Sequence, residues 1–320
     1  MENILVAGGA GFLGSHLCKK LLEAGHTVYC LDNLISGSKD NIVTLFDNPK
    51  FIFIEHDVAQ PFTSVADRMA ELHTIFHLAS PASPNPASPR SYLSHPIETM
   101  ITNSAGTHNL LLLAKDKKAK FLFASTSEVY GNPAVSPQPE TYFGNVNPNG
   151  IRSVYDEGKR FGEALTWSFR RVHNVDARII RIFNTYGPFM QKDDGRAVSA
   201  FITQAIGGVS MTIFGEGNQT RSFCYVDDLI DGIIKAMFTG GTNGEVINLG
   251  NPDERTISNL ATLVKELTGS QSQIVHEGLP ADDPVQRRPD ITKAQKLLGW
   301  QPKISLEEGL KKTIEYFRTN

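Results

Sequence analysis

The sequence predicts an α/β protein in which a Rossmann-type, doubly wound parallel sheet carries a smaller α/β substrate-binding domain. Two observations predict this class. Apolar segments typical of strands alternate with segments of helical periodicity through the first half of the 320 residues. A glycine-rich turn also separates the first strand from the first helix. Such alternation implies right-handed crossovers, so the strands should be parallel and covered by helices on both faces.

The first 32 residues have the pattern of a strand, a phosphate-binding turn, a helix and a second strand. Residues 3–7 are apolar, 8–14 form the glycine-rich turn, and 13–24 have helical periodicity. The glycines let the backbone approach a diphosphate, and the free N–H groups at the helix N-terminus favour an anion. The second strand, 27–31, ends at Asp32, a carboxylate that can accept from a ribose 2′-hydroxyl and would repel a 2′-phosphate. We therefore expect NAD rather than NADP as the cofactor.

The remaining strands end in polar residues, which matters because parallel sheets bind ligands at the carboxyl ends of their strands. These residues are Asp57, Ser80, the segment 125–128 and Asn184. The predicted strands are 51–55, 74–78, 120–124 and 177–182, and the predicted helices are 97–115, 155–172, 198–206, 229–238, 257–268 and 306–317.

Tyr155 and Lys159 are the leading catalytic candidates. Because they are four residues apart in a predicted helix, they should lie on one face of it. The lysine charge would then favour the phenolate form of Tyr155 and lower its pKa. The segment 125–131, STSEVYG, brings hydroxyl groups to the end of the preceding strand. This pattern predicts a base that takes the proton from a hydroxyl group during its oxidation.

The composition favours a soluble enzyme. Charged residues make up 20% of the chain and the formal net charge is −3, so no basic field for nucleic acid is expected. No apolar run approaches about 18 residues and no leader pattern is present, so we expect neither a membrane anchor nor a signal peptide, and a cytoplasmic location. Cys18, Cys30 and Cys224 are odd in number and widely spaced. We expect buried free thiols and no metal site.

Several motifs resemble the extended short-chain dehydrogenase/reductase family of nucleotide-sugar enzymes, and the likeness covers nearly the whole chain. They are the glycine turn, HLASPAS at 77–83, Tyr155 with Lys159, RIFNTYGP at 181–188 and QTRSF at 219–223. Four segments, 125–131, 155–160, 194–196 and 282–291, are similar to the branch of that family that decarboxylates UDP-glucuronate. The resemblance implies an NAD-dependent enzyme that oxidises carbon 4 of the sugar, releases carbon dioxide, regenerates NAD and forms UDP-xylose. It also implies a homodimer through the helices near 97–115 and 155–172.

The resemblance implies roles for individual residues. The catalytic residues would be Tyr155, Lys159, Thr126, Ser127, Glu128 and Arg287. Together with Tyr155 and Lys159, the residues expected to hold the cofactor are Gly8, Gly11, Phe12, Leu13, Gly14, Asp32, Asn33, Ser36, Gly37, Asp57, Val58, Leu78, Ala79, Ser80, Thr102, Ala124 and Thr185. The sugar nucleotide would contact Ser83, Asn184, Arg196, Val198, Gln219, Arg221 and Arg287. We expect an NAD-binding domain of residues 1–182 and 223–249, and a nucleotide-sugar-binding domain of residues 183–222 and 250–320.

Glu128 and Arg287 would tune the loss of carbon dioxide. By resemblance, Glu128 faces the sugar carboxylate, where two like charges raise the free energy of the ground state until carbon dioxide leaves. Arg287 would orient the carboxylate or help a proton reach carbon 5. Simpler interpretations stay open: Glu128 caps a turn, Arg287 pairs at the surface with Asp282 or Asp283, and Arg196 pairs with Asp193 or Asp194. Arg181 and His77, which lie in predicted strands, are interpreted as structural residues.

Four features depart from the decarboxylase pattern. Ala7 replaces a threonine, extra Pro and Ser residues occupy 84–92, Ile101 replaces a lysine and Asn145 a histidine. The last three fall near the expected pocket and bear on which sugar binds. Two other functions stay open: 4-epimerisation or 4,6-dehydration of a nucleotide sugar, and a catalytically silent NAD-binding protein of the same fold.

Overall fold

The computed structural model describes residues 1–69, 71–278 and 286–319. Asp282 and Asp283, and so the pairing suggested for them, lie outside these ranges. The strands within the described ranges are β1 (Asn3–Ala7), β2 (Thr27–Asp32), β3 (Phe51–Glu55), β4 (Thr74–His77), β5 (Lys120–Thr126), β6 (Ala177–Ile182), β7 (Thr185–Tyr186), β8 (Met211–Phe214), β9 (Thr220–Ser222), β10 (Cys224–Tyr225), β11 (Val246–Leu249), β12 (Glu254–Thr256), β13 (Ile274–Glu277) and β14 (Gln286–Arg287).

The helices alternate with these strands through the first half of the chain. The α-helices of the described residues are α1 (Phe12–Glu23), α2 (Pro96–Ile101), α3 (Thr107–Lys117), α4 (Ser153–His173), α5 (Ala197–Ile206), α6 (Val226–Phe238), α7 (Ile257–Thr268), α8 (Thr292–Leu298) and α9 (Leu306–Thr319). Short 3-10 helices lie at Lys39–Leu45, Phe62–Ser64, Ala66–Met69 and Ser127–Tyr130, and a π-helical turn at Thr102–Gly106 joins α2 to α3.

Seven parallel strands form the central sheet, in the order β11-β6-β5-β4-β1-β2-β3. Successive residues of β1 face opposite sides, since Ile4 and Val6 belong to one apolar cluster and Leu5 and Ala7 to another. The first cluster includes residues of α1 and α6, and the second includes residues of α3 and α4. Both faces of the sheet are therefore covered. The predicted Rossmann-type α/β class is confirmed.

Several predicted elements agree with the structure residue for residue, among them β1, β3, β6 and α7. Other boundaries shift by one to three residues. The largest shift is at α6, which begins at Val226 rather than at Leu229; Asp227 and Asp228 occupy its first turn, where carboxylates favour the helix dipole. The predicted helix 97–115 is interrupted by the π-helical turn. There Asn103 Nδ2 donates to the carbonyl oxygen of Thr99 and to Ser80 Oγ, both at 2.9 Å. The sequence pattern predicts no element where α8 lies.

The chain beyond β6 forms smaller sheets. β9 lies between β12 and β14, and Arg221 on β9 is in register with Arg287 on β14. β8 pairs with β13, and β10 with β7. β11 returns to the edge of the central sheet beside β6. The division of the chain into two domains stays a prediction.

Two expectations about buried side chains are confirmed. Cys18, Cys30 and Cys224 are buried free thiols. His77 is fully buried, and its Nε2 lies 3.0 Å from the Thr107 hydroxyl. Among the described residues, no helix is both long and apolar enough to span a membrane.

Candidate active site

One pocket opens at the carboxyl ends of β1, β2 and β4. Ile35 and His56, which belong to none of the motifs above, also line it, as does Pro81 of the HLASPAS segment. The residues predicted to hold a cofactor that line this pocket are Gly8, Gly11, Asp32, Asn33, Ser36, Val58, Leu78, Ala79, Ser80 and Thr102.

The glycine turn fits a diphosphate. Gly8 has φ +81°, and a Cβ atom there would lie 2.6 Å from the backbone nitrogen of Ala79, so only glycine leaves this approach open. Gly11 is the N-cap of α1 and offers no side chain to the free N–H groups of the first turn. Those groups can bind an anion, and the predicted residues Phe12, Leu13 and Gly14 form that turn.

Asp32 fits a ribose that carries free hydroxyl groups. Its carboxylate is 7% exposed and accepts hydrogen bonds from the backbone nitrogens of Leu34 at 2.8 Å and Ala10 at 3.0 Å. Burial raises the pKa of this carboxyl, and the two backbone bonds lower it. Gly37 lies against the carboxylate, since a Cβ atom there would be 3.0 Å from both oxygens. The residues at this edge therefore fit NAD.

Two further cofactor predictions, Asp57 and Thr185, follow β3 and β6, which lie on opposite sides of the sheet centre. Asn33 Nδ2 donates to Asp57 Oδ2 at 3.1 Å, which joins the end of β2 to the residues that follow β3. The hydroxyl of Thr185 donates to the carbonyl oxygen of Phe183 at 2.9 Å, so this side chain stabilises the local backbone turn.

Tyr155 and Lys159 lie one helical turn apart in α4, and both are buried. Lys159 Nζ donates to the carbonyl oxygen of Ala124 at 2.9 Å and lies 5.8 Å from the centroid of the Tyr155 ring. Burial lowers the pKa of Lys159 to about 7. Burial raises the pKa of Tyr155 to about 12, although a hydrogen bond from Thr126 opposes the shift. The structure therefore does not show the expected low pKa of the Tyr155 phenol, because burial destabilises the phenolate more than the neighbouring groups stabilise it.

A second tyrosine, which the sequence analysis missed, packs on Tyr155. The ring of Tyr92 stacks on it with centroids 5.0 Å apart and planes 10° apart. Tyr92 is 1% exposed and closes the segment 84–92 that departs from the decarboxylase pattern. The segment with the extra Pro and Ser residues therefore ends at a side chain that stacks on the Tyr155 ring.

Glu128 lies between two arginines. Arg287 Nη2 donates to Glu128 Oε2 at 3.1 Å, and Arg152 pairs with the same oxygen. Arg287 Nη1 also donates to the carbonyl oxygens of Ser127 at 2.8 Å and Gly131 at 2.9 Å. Because Arg287 is 1% exposed, the surface interpretation of this residue is wrong.

The capping interpretation of Glu128 is wrong as well. The cap of the turn Ser127–Tyr130 is Thr126, whose hydroxyl accepts from the backbone nitrogen of Glu128 at 3.2 Å. The carboxylate of Glu128 instead pairs with Arg152 and Arg287.

The two guanidinium groups fix the charge of Glu128. Burial opposes ionisation, but the charges of Arg287 and Arg152 outweigh it and hold the pKa of the Glu128 carboxyl well below its usual range. Burial and the Glu128 charge raise the pKa of Asp156, whose Oδ1 has no hydrogen-bond partner among the described residues. The predicted repulsion between Glu128 and a substrate carboxylate needs correction, because Glu128 is already compensated. Arg152 was missed, because it precedes the predicted helix; it is the N-cap of α4, three residues before Tyr155.

The predicted sugar-nucleotide residues separate into two groups. Arg221 lies beside Arg287 across the β9–β14 pair, and its charge acts on Glu128. Arg196 pairs with Asp194 at 2.6 Å, the pairing left open above, and Ser83 Oγ donates to the Asp194 carbonyl at 2.7 Å.

Val198 and Gln219 have side chains that are buried or bonded elsewhere, and Asn184 contributes a backbone bond. Val198 is 2% exposed and belongs to the apolar core, so only its backbone can face a ligand. The amide of Gln219 donates to the Phe214 carbonyl at 2.6 Å. The carbonyl oxygen of Asn184 accepts from the backbone nitrogen of Cys224 at 2.9 Å, which ties the turn after β6 to β10.

Two departures from the decarboxylase pattern, Asn145 and Ile101, differ in their position: one borders the arginine cluster and the other is exposed on α2. Asn145 Nδ2 donates to the Asn132 carbonyl at 3.2 Å, and Asn145 bridges to Gly131, whose oxygen accepts from Arg287. It therefore borders the arginine cluster. Ile101 is 44% exposed on α2.

Comparison with known proteins places the chain among nucleotide-sugar enzymes. The NAD dependent epimerase/dehydratase family matches residues 4–250. UDP-glucuronic acid decarboxylase 5 of Arabidopsis thaliana is 50% identical over 316 residues, which are 98% of this chain and 89% of the relative. UDP-glucuronic acid decarboxylase 1 of Xenopus tropicalis is 48% identical over 317 residues, which are 99% of this chain and 72% of the relative.

Two solved structures share the fold over their full length. UDP-glucose 4-epimerase of Thermotoga maritima, solved with UDP-glucose, has a TM-score of 0.88 and 34% identity, with 99% of each chain covered. UDP-glucuronic acid 4-epimerase of Bacillus cereus, solved with UDP-glucuronic acid and NAD, has a TM-score of 0.88 and 30% identity, again with 99% of each chain covered.

Proposed function

Because the chain belongs to the NAD dependent epimerase/dehydratase family, we propose that it uses NAD to convert UDP-glucuronate into UDP-xylose and carbon dioxide. The observation that carries this proposal is the cluster of Arg152, Glu128 and Arg287. It lies close to Tyr155, since Arg152 is three residues before Tyr155 and the charge of Glu128 acts on the phenol. Two guanidinium groups against one carboxylate leave a surplus of positive charge for a substrate carboxylate. The decarboxylase relatives, about 50% identical over almost the whole chain, support the same substrate.

Tyr155 performs the proton transfer of the redox step. When bound, NAD would supply reversible two-electron oxidation at carbon 4 of the sugar. Tyr155 as phenolate takes the proton of the 4-hydroxyl and later returns it. The hydrogen bond from Thr126 stabilises the phenolate against burial. We assign the same role to Lys159 in its ammonium form, because its Nζ lies 5.8 Å from the centroid of the Tyr155 ring.

The arginine cluster serves the carbon–carbon cleavage. After oxidation, the sugar carboxylate is β to the ketone, so the bond between carbons 5 and 6 breaks and its electron pair moves to the ketone oxygen as an enolate. Arg152 and Arg287 orient the carboxylate until it leaves as carbon dioxide. Because Glu128 partly neutralises the two arginines, they bind the substrate carboxylate weakly enough for it to leave as carbon dioxide. A proton then adds to carbon 5, and the returning electrons restore the alcohol at carbon 4.

A product assay tests this function. UDP-glucuronate labelled in its carboxylate should give labelled carbon dioxide and UDP-xylose. The second candidate is 4-epimerisation, which the likeness to the Bacillus cereus enzyme favours. It would instead give an isomer that keeps the label, and either that result or binding without turnover contradicts the decarboxylase proposal.

We also propose a homodimer formed by α2 and α4. Ile97, Met100 and Ile101 on α2 and Phe161 on α4 are 42–62% exposed, and the two helices pack against each other. Together they present an apolar surface that a second copy would cover in a four-helix bundle. We further propose a cytoplasmic location, which three unpaired thiols fit, since oxidising compartments favour disulfides.

Light scattering should therefore give twice the monomer mass of 35.2 kDa. The double variant Met100→Lys and Phe161→Lys should give 35.2 kDa, because it places charge in the apolar surface. Val209→Lys is the control, since Val209 is 56% exposed near the end of α5 and its replacement should leave the dimer intact. A parent protein of monomer mass at every concentration rules out the proposal.

A further inference from the structure

A polar network lies next to the Tyr155 and Lys159 pair and takes no part in the mechanism above. Its centre is Glu163 on α4, four residues beyond Lys159 and therefore on the same helix face. Glu163 Oε1 accepts from Ser125 Oγ at 2.6 Å and from Arg181 Nε at 2.9 Å. Glu163 Oε2 accepts from Arg181 Nη2 at 2.7 Å. Arg181, expected to be structural, thus binds the carboxylate through two parallel bonds.

The network joins three strands, β5, β6 and β11, and the turn Ser127–Tyr130. Arg181 on β6 also donates to Tyr130 Oη at 3.0 Å and to the carbonyl oxygen of Glu140 at 3.1 Å. Tyr130 in turn donates to Asn248 Oδ1 at 2.8 Å on β11. Glu163 and Arg181 have side chains only 11% and 12% exposed. The carboxylate of Glu163 is therefore fixed in place.

Lys159 has few groups that could stabilise its charge. It is 3% exposed, and its Nζ lies 5.0 Å from the ring of Phe123. From β4 it faces His77, whose pKa is lowered first by burial and then by the Lys159 charge, so that ring is neutral.

The remaining ionisable neighbours leave Glu163 as the main stabilising charge. β6 contributes Arg181, which Glu163 neutralises, and the turn after β5 contributes Glu128 and Tyr130, which are paired with arginines. From α4 itself come Tyr155 and Glu163, and among all these groups the Glu163 carboxylate is the one that favours the ammonium form.

We propose that Glu163, fixed by Arg181 and Ser125, is a positioning residue of the redox step: its carboxylate keeps Lys159 in the ammonium form and thereby sets the pH range of proton transfer by Tyr155. This inference rests on the proposed function only for the role of Tyr155. The charge coupling between Glu163 and Lys159 can be measured without any reaction.

The direction of the effect follows from charge. Burial lowers the pKa of Lys159 and Glu163 raises it, with a net value of about 7. Replacing Glu163 by Gln keeps the size and an acceptor oxygen but removes the negative charge. The pKa of Lys159 should then fall by about one unit or more. The ammonium form, and with it the redox step, should be lost at a lower pH than in the parent.

Two measurements test this. Protein with lysine labelled at the ε-carbon is titrated by NMR without added cofactor, and the Lys159 signal is identified by its loss in Lys159→Met. In Glu163→Gln that signal should titrate about one pH unit or more below the parent. In the NAD-loaded protein, the alkaline limit of cofactor reduction by UDP-glucuronate should move in the same direction.

Glu157→Gln is the matched control. Glu157 is on the same helix, two residues before Lys159, but its side chain is 37% exposed and pairs with Arg160 at 3.6 Å. Its replacement should leave both titrations unchanged. Glu163→Asp keeps the charge and should titrate close to the parent.

If Glu163→Gln does not fold because Arg181 has lost its counter-ion, the pair is replaced by Glu163→Gln with Arg181→Met. That variant should still lower the Lys159 titration, because Glu163 and not Arg181 is the charge acting on Lys159. An unshifted Lys159 signal in both variants overturns the inference. A parent that does not reduce its cofactor at all contradicts the proposed function instead, whatever the NMR titration shows.

Discussion

Tyr155→Phe should reduce the rate at which UDP-glucuronate reduces the bound cofactor by about 10²–10⁴-fold, or roughly 3–5 kcal/mol of transition-state stabilisation. The substitution removes only the hydroxyl that accepts the proton from carbon 4's alcohol. The ring still stacks on Tyr92, so folding and cofactor binding should persist. Rapid-mixing absorbance of the reduced nicotinamide measures the step directly.

The matched control is Tyr29→Phe, which removes a hydroxyl from a tyrosine of β2 that is 9% exposed and packs in the core on one face of the sheet. It should reduce its cofactor as the parent does. Reduction by Tyr155→Phe at the parental rate would show that another group accepts the proton, and the role assigned to Tyr155 would be wrong.

Glu128→Gln should separate the two halves of the reaction. Removing the carboxylate charge leaves Arg152 and Arg287 uncompensated, so they should bind the substrate carboxylate more tightly and slow its loss. We expect decarboxylation to slow by about 10²-fold, or about 2.7 kcal/mol, while oxidation at carbon 4 continues. Reduced cofactor should therefore accumulate transiently.

Carbon dioxide release and cofactor absorbance are followed in the same reaction. Glu157→Gln, the half-exposed control on α4, should show neither the delay nor the accumulation. If Glu128→Gln turns over like the parent without accumulating reduced cofactor, Glu128 has no part in the cleavage step.

Local patterns were sufficient to predict the fold and the position of the cofactor pocket. The strand, turn and helix at the N-terminus are formed by residues close together in sequence. The position of β1 and of Asp32 could therefore be predicted from the sequence alone. The alternation of strands and helices likewise fixed the parallel sheet, because few topologies satisfy it.

The charged cluster could not be predicted in the same way, because its members meet only in three dimensions. Arg287 and Glu128 are 159 positions apart, and only the pairing of β14 with β9 brings Arg287 to a site where it is buried. Arg152 and Tyr92 lie outside any catalytic pattern, and their roles depend on a buried carboxylate and a stacked ring. Likewise, the pKa of Tyr155 depends on burial, which the spacing of Tyr155 and Lys159 does not reveal.

The most direct test of the proposed reaction uses UDP-glucuronate deuterated at carbon 4, with the product identified by mass spectrometry. Internal oxidation, decarboxylation and re-reduction predict one carbon dioxide per substrate and UDP-xylose that keeps its deuterium at carbon 4, with no net change in cofactor. A deuterated product of unchanged mass would show an epimerase. A 4-keto product without deuterium, formed with an equal amount of reduced cofactor, would show that the electrons do not return, and either result would contradict the account.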